Sequence, residues 1–228
     1  MPKPRDIYGT KPPEELPAYP LVHAARIVRL SPSTLRLWAA GDGVREALFR
    51  PASRAPLTLS FSNLVESFVL ASMRRVHGIS MQKVRKALRY LGKELGYDRP
   101  VIHAGFRTDG VGLFVQQADR ILEVSRDGQA VLREVLDASL QRIEWEGDLA
   151  ARLYPWVRTS DDFAQPLTVV VDPRRGFGQP VIAGTGIETR VVVGRYRAGE
   201  GASALAEDYG IELERIEDAI RYESREAA

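Results

Sequence analysis

The sequence predicts a mainly helical α+β protein built from three parts. Two short helical segments around a serine–proline start signal indicate a winged helix-turn-helix near the N-terminal end. Alternating apolar residues indicate strands in the middle region. Near the C-terminal end a β-hairpin pattern gives way to apolar residues at helical spacing, which predicts a hairpin followed by a three-helix, helix-turn-helix-like module.

The composition is that of a globular protein. The 228-residue chain is 44% hydrophobic and 27% charged, and it contains no cysteine, which excludes disulfides and thiolate metal sites. No apolar run approaches the ~20 residues that span a bilayer, and the proline-rich residues 1–18 are expected to be a flexible arm rather than a targeting signal. We therefore expect a cytoplasmic protein with no membrane partner.

Charge is distributed unevenly along the chain. Residues 1–97 hold 16 Lys and Arg against 7 Asp and Glu, whereas residues 165–228 hold 8 against 11. This segregation favours a polyanion as the partner of the N-terminal part and a different partner for the C-terminal part. A chance distribution of solvated charges is the alternative.

The N-terminal part, residues 19–97, carries the helix-turn-helix pattern. Apolar spacing predicts a helix over residues 19–29, and Ser31 with the following proline begins a second helix over residues 33–40. Residues 45–60 lack helical periodicity and are expected to form the wing. Two further helices are predicted, one over residues 64–76 capped by Ser62 and one over residues 81–95 capped by Ser80.

The helix over residues 33–40 is the candidate recognition helix. Recognition helices touch base edges with their N-terminal residues, and arginine is the residue that most often contacts guanine. Basic residues of the wing and of the helix over 81–95 would meet phosphates. A merely solvated polar face is the alternative. The candidate DNA-binding residues are Ser33, Thr34, Arg36, Arg50, Arg54, Lys83 and Lys86.

The middle region, residues 98–158, is predicted to mix strands and helix. Strands are expected over residues 101–106, 111–116 and 121–125, a helix over 128–140, and a hairpin made of 142–146 and 149–154. Residues 159–167 are expected to be the linker to the C-terminal module, residues 168–228.

The C-terminal module is expected to bind protein. Its last helix, over residues 212–226, holds six acidic and three basic residues, so a DNA backbone would repel it. In its turn, Gly184, Thr185 and Gly186 are expected to serve backbone geometry, with positive φ at glycine and a local hydrogen bond from Thr185. A phosphate-binding loop is the alternative, although the turn lacks the lysine of such loops.

Two resemblances extend this interpretation. The stretch from Val181 to Ile187, with Gly199-Glu200 and residues 205–209, is similar over residues 168–224 to a widespread antitoxin family long catalogued as a domain of unknown function. In that family arginine is common where this chain has Gly186. The residues that carry the motif here are Gly184, Thr185, Gly186, Asp208 and Tyr209.

The N-terminal part resembles the MerR-like winged-helix family. The match lies in Thr34-Leu35-Arg36 and in the later Leu59-Ser60-Phe61 entry into a helix pair. MerR regulators dimerise through a long antiparallel helix after this domain, whereas residues 98–164 are predicted to contain strands. The resemblance therefore implies DNA binding but not effector-driven activation of the MerR kind.

The whole layout looks like that of VapB-type antitoxins. This resemblance implies a PIN-like ribonuclease toxin and operator DNA as partners, and a homodimer or higher toxin–antitoxin assembly. Arginines suit the carboxylate-rich active site of such a toxin, and the expected toxin-binding residues are Arg221, Tyr222 and Arg225.

Two other functions remain open. The first is a stand-alone MerR-like transcriptional regulator that senses a ligand in the middle region. An enzyme that uses the carboxylates around Asp161 is the weaker one, because the three histidines, His23, His77 and His103, show no metal-ligand spacing. We therefore expect no catalytic residues, no metal and no cofactor.

Overall fold

A computed structural model describes residues 11–74, 80–97, 99–103, 105–122, 126–157 and 163–224. Helices predominate in this part of the chain, and its strands form three small antiparallel sheets. The predicted mainly helical α+β class is confirmed. Most of the predicted flexible arm and Arg225 lie outside the described residues.

The N-terminal part contains a helix pair and a three-stranded sheet. The chain runs through β1 (Tyr19–Pro20), α1 (Leu21–Val28), α2 (Pro32–Ala40), β2 (Ser53–Arg54) and β3 (Leu57–Leu59). The sheet order is β1-β3-β2, with both pairs antiparallel. The first helix starts two residues later than predicted, because β1 pairs with β3 there. The strands β2 and β3 form a hairpin within the predicted wing.

Two longer helices follow, α3 (Phe61–Met73) and α4 (Met81–Leu95). The prediction that Ser62 caps α3 is wrong. Ser60 caps it instead, since its hydroxyl accepts the Asn63 N–H at 3.1 Å while the Asn63 side chain accepts the Ser60 N–H at 3.2 Å. The predicted cap of α4 is confirmed, because the Ser80 hydroxyl accepts a backbone N–H one turn on.

The middle region is more helical than predicted. It consists mainly of α5 (Val111–Leu122), α6 (Arg126–Leu140) and the hairpin of β4 (Ile143–Glu146) and β5 (Leu149–Leu153). The strands predicted over residues 101–106 and 111–116 are wrong: the described part of the first falls in a short 3-10 turn and the start of a π turn, and the second lies in α5. Of the strand predicted over 121–125, the first two residues belong to α5, and residues 123–125 lie outside the described residues. Val111, Phe114 and Val115 are buried, and their spacing puts these apolar side chains on one face of the helix.

One hydrophobic core joins the N-terminal part to the middle region. Helix α3 lies at its centre, with every residue but Ala71 buried. It contacts α1 on one side and α6 on another, and α4 packs against α5. The core therefore runs continuously across the predicted boundary at residue 97.

The C-terminal module has a small core of its own. It consists of β6 (Val169–Val170), β7 (Val181–Ile182), α7 (Thr189–Arg197), α8 (Ala202–Tyr209) and α9 (Leu213–Glu223). The strands pair antiparallel, and the three helices pack on one another, as predicted. The buried residues of this core are Ile182, Val192, Leu205, Ala206, Ile216 and Ala219.

A buried arginine ties the C-terminal module to the middle hairpin. Arg142 donates hydrogen bonds to four backbone carbonyls, those of residues 154, 155, 165 and 166, at 2.7–3.1 Å. Its guanidinium also lies 4.4 Å from the ring centre of Trp156. The chain just before β6 is therefore held against the segment that follows β5.

Candidate DNA-binding and partner-binding surfaces

The first turn of α2 is fixed by its own cap. The Ser31 hydroxyl accepts the Thr34 N–H at 3.3 Å and donates to the Thr34 hydroxyl at 2.9 Å. Leu35 and Trp38 anchor the inner face of the helix in the core. As a result, the candidate residues Ser33 and Arg36 are exposed on the outer face and Thr34 is half-buried.

In the turn after α2, Arg45 is neutralised by an ion pair with Asp42. Asp42 accepts backbone N–H groups from Val44 and Arg45 and a side-chain hydrogen bond from Arg45 at 2.6 Å. These hydrogen bonds, led by that of the Arg45 side chain, lower the pKa of Asp42 to about 2. Arg45 is therefore already paired and brings little net charge to the surface beside Arg36.

The starts of α2 and α4 face each other across an open hollow of about 370 Å³. Thr34 and Leu37 lie on its α2 side, and Ser80, Met81 and Arg85 lie on its α4 side. The N-terminus of a helix carries a partial positive charge, which suits anionic ligands. The structure thus brings the candidate recognition helix next to the basic helix α4.

Some basic residues of this surface are paired and others are not. Arg85 and Arg89 of α4 hydrogen bond to Glu46, the first to its carbonyl and the second to its carboxylate. Lys83, by contrast, is half-buried and has interactions of its own. Four candidate residues are exposed and form no ion pair with any residue that the structure describes: Arg36, Arg50, Arg54 and Lys86.

The glycine-rich turn of the C-terminal module follows β7. Gly184 has φ +73°, and Thr185 donates to the Ile182 carbonyl at 2.7 Å while accepting the Ile187 N–H at 3.1 Å. Gly186 does not have positive φ, so the expectation that its backbone requires glycine is wrong. A Cβ atom built on Gly186 would meet nothing within 4 Å.

Asp208 and Tyr209 hold α8 against α7 through one arginine. Arg195 forms an ion pair with Asp208 at 2.5 Å, and its guanidinium lies 5.0 Å from the ring centre of Tyr209. The same guanidinium donates to Glu200, which lies in the connection between the two helices. This cluster fixes the geometry of the module.

The three expected toxin-binding residues have different environments. Arg221 is half-exposed and forms ion pairs with Asp218 at 2.8 Å and Glu217 at 3.0 Å on its own helix. Tyr222 is only 1% exposed, which corrects the expectation that it contacts a partner. Burial raises the pKa of its hydroxyl group. Arg225 lies outside the described residues.

Tyr222 packs with the buried Val157 and Val169, and Arg29 lies over its ring. Arg29, the residue that ends α1, has φ +60°, donates to the Tyr222 carbonyl at 2.8 Å and lies 4.7 Å from the centre of its ring. The sequence missed this contact because the two residues are 193 positions apart. The positive φ of Arg29 could not be predicted from the sequence either, because residues other than glycine rarely adopt it.

Two further observations concern only the residues that the structure describes. They contain no cluster of three or more His, Cys, Asp and Glu side chains able to hold a metal ion. Their helices are all too short or too polar to cross a membrane.

Comparisons with known proteins cover nearly the whole chain. Residues 169–222 match a family described as "Protein of unknown function (DUF433)". A protein of Mycobacterium tuberculosis named "Putative antitoxin VapB45" is 31% identical over 230 residues, which cover 90% of this chain and 93% of that protein. The X-ray crystal structure of Rv2018 from Mycobacterium tuberculosis is 29% identical, with a TM-score of 0.67 over 90% of this chain and 98% of that one. This chain therefore belongs to the same family as the protein named "Putative antitoxin VapB45".

Proposed function

We propose that this protein is the antitoxin of a toxin–antitoxin pair. In this function it binds and neutralises a PIN-like ribonuclease toxin, and it binds operator DNA to regulate its own expression. The observation that carries the proposal is the match to a protein named as an antitoxin over 90% of this chain, from the winged-helix region to the C-terminal module.

The DNA-binding part of the proposal rests on the exposed, unpaired cations of the N-terminal surface. Arg36 projects from the first turns of a helix whose inner face is anchored, and Arg54 lies in the β2–β3 hairpin. This arrangement suits one helix in a major groove with a wing and a neighbouring helix on the phosphates. One short recognition helix gives little affinity, so a dimer on paired half-sites is part of the proposal.

The toxin-binding part rests on the C-terminal module. The module has a separate core and internal arginine–carboxylate clusters, so it presents a fixed surface to a partner. The start of α9 exposes Glu212, Leu213 and Glu214. Acidic surface of this kind disfavours DNA and is compatible with a protein partner.

Co-expression with the product of the adjacent reading frame tests the proposal. We expect the two proteins to elute as one complex, and we expect the ribonuclease activity of the partner to be absent until the complex is dissociated. If the chain elutes alone while it binds its upstream DNA tightly, the antitoxin function is refuted and a stand-alone regulator is favoured.

The DNA contacts are tested by two substitutions and a control. Arg36→Ala should weaken binding to the operator more than binding to unrelated DNA, since a base contact contributes about 1–3 kcal/mol of discrimination. Lys86→Ala should weaken both equally and reduce the salt dependence by about one counterion. Arg197→Ala, an exposed arginine on α7, is the control and should change neither. Equal losses on both DNAs for Arg36→Ala would make Arg36 a phosphate contact.

A further inference from the structure

An open groove of about 490 Å³ separates β5 from the glycine-rich turn of the C-terminal module. Val170 and Val181 contribute apolar surface to it, and Tyr154 closes it on the side of the middle hairpin. The other lining residues are Arg152, Asp172, Arg175, Gly176, Gly184, Thr185 and Gly186. A groove of this size accommodates several residues of an extended peptide.

The turn that forms one wall of this groove keeps it open. Cβ atoms built on Gly184 or Gly186 would meet no atom within 4 Å, so their missing side chains leave space unfilled. Among the residues that the structure describes, neither the Gly184 nor the Gly186 N–H finds a hydrogen-bond acceptor. Because the backbone of Gly186 needs no glycine, its small size serves the groove rather than the fold.

The loop that contributes Arg175 and Gly176 to the groove continues into an exposed aromatic residue beside it. Phe177 is 94% exposed and has φ +53°, between two glycines that also have positive φ. The loop is fixed by the Arg175 and Asp172 backbone turns and by Gly178, whose backbone packs against the buried Tyr19. A strained, fully exposed aromatic residue in a fixed loop is typical of a binding site, because little conformational entropy is lost when it is buried by a partner.

Charge around the groove favours a protein segment with a carboxylate. The Arg175 side chain is 79% exposed, and its ion pair with Asp172 is long, at 3.9 Å, since Asp172 is closer to Arg152 at 2.9 Å. Arg175 can therefore pair with a carboxylate from outside. Asp172 and Glu144 are both already paired with Arg152. The apolar surface of Val170 and Val181 favours a protein segment over nucleic acid as the occupant.

We infer that the groove between β5 and the Gly184–Gly186 turn, together with Phe177, is the docking surface for an extended segment of the toxin. That segment carries an apolar side chain next to a carboxylate, which Arg175 pairs with. The inference rests on the proposed function and deepens it, because it assigns toxin binding to this groove instead of the α9 residues Arg221 and Tyr222.

Affinity measurements on the complex with the adjacent gene product test this assignment, using the full-length chain. Phe177→Ala should weaken the complex about thirtyfold, as the loss of a central aromatic anchor does. Gly186→Trp should weaken it at least as much by filling the groove, and Arg175→Glu should do so by reversing the charge. A Cβ atom on Gly186 meets no atom within 4 Å, and the Arg175 side chain is 79% exposed, so circular dichroism should show the wild-type fold for these variants.

Matched controls separate the groove from general surface effects. Val44→Ala removes an apolar side chain that is 92% exposed in the turn after α2. Gly201→Trp adds an indole to another glycine with open space around it, and Arg197→Glu reverses the charge of another exposed arginine. All three should bind the partner as the wild type does.

The outcomes distinguish this inference from the proposed function. If the wild-type complex forms and the Phe177, Gly186 and Arg175 variants bind as tightly as their controls, the groove is not the docking surface, although the antitoxin function stands. If Phe177→Ala weakens DNA binding and leaves the complex intact, the loop contacts DNA and the inference is overturned. If the wild-type chain forms no complex, the proposed function itself fails.

Discussion

Replacing Gly178 with alanine probes the contact that holds the β6–β7 loop against the N-terminal part. A Cβ atom at this position would lie 2.3 Å from the Tyr19 hydroxyl oxygen and 3.0 Å from the adjacent ring carbon. Tyr19 is fully buried and has little room to move. Overpacking of this kind costs about 1–3 kcal/mol. The φ of +71° adds about 1–2 kcal/mol for a residue with a Cβ atom. We therefore expect Gly178→Ala to lower the free energy of unfolding by about 2–5 kcal/mol.

Two further variants divide this cost into its parts. Gly210 has a similar positive φ of +64°, but no atom lies within 4 Å of a Cβ built there, so Gly210→Ala should cost only the backbone strain. Tyr19→Phe removes a buried hydroxyl that has no hydrogen-bond partner among the described residues, and it should be neutral or stabilising. In the double variant Gly178→Ala with Tyr19→Phe, part of the loss should be recovered because the closest atom is gone.

Urea unfolding monitored by circular dichroism gives the free energy of unfolding of the wild type, of each single variant and of the double variant. The coupling between positions 19 and 178 follows from the double-mutant cycle. Equal losses for Gly178→Ala and Gly210→Ala, or a coupling free energy of zero, would refute the close packing of the loop on Tyr19.

Three other predictions concern stability and charge. Arg142→Met leaves four backbone carbonyls without their donor and should lower the free energy of unfolding by about 3 kcal/mol or more in urea titrations, whereas Arg197→Met should change it by less than about 0.5 kcal/mol. The carboxyl resonance of Asp42 should titrate with a pKa of about 2, and Arg45→Ala should return it towards its ordinary value. Since the folded pKa is lowered, any stabilisation by this carboxylate is present above its ordinary pKa and is lost as the pH falls towards 2. Thr168→Val removes the 2.8 Å hydrogen bond to the buried Asp218 carboxylate and should cost about 1.5–3 kcal/mol, with the exposed Ser203→Ala as the control.

Local signals in the sequence predicted much of the fold. Ser31 with its proline and Ser80 cap the helices that follow them, because capping depends on residues within one turn. The hairpin at Gly147 and the order of elements in the C-terminal module were predictable for the same reason. Residues 111–116 were not, since Val111, Leu113 and Val115 alternate as in a strand while Val111, Phe114 and Val115 share a helix face. Residues 111–116 are helical because the face that carries their buried side chains packs against α4 and α6.

The candidate site was predictable only where exposure follows from helix periodicity. Ser33 and Arg36 lie opposite the buried Leu35 and Trp38, and the sequence alone places them on that face. Phe177 escaped the prediction because a phenylalanine near β-branched strands is ordinarily a core residue, and its exposure depends on the left-handed turn around it. Tyr222 was misassigned because an apolar face on a last helix does not reveal which distant residue covers it.

The contact between α1 and α9 links the two proposed binding functions. Arg29 ends α1 and contacts the carbonyl and the ring of Tyr222, while Arg26 of the same helix forms an ion pair with Glu223 at 3.8 Å. A deletion of residues 210–228 would remove Ile216 and Tyr222 from two buried clusters, and with Tyr222 the carbonyl that accepts the 2.8 Å hydrogen bond from Arg29. Such a deletion would disturb the fold near α1 and α2, which are proposed to bind DNA, as well as the C-terminal module, which is proposed to bind the toxin. Point variants of exposed groups, such as Phe177→Ala and Arg36→Ala, separate the two functions because neither side chain supports the core.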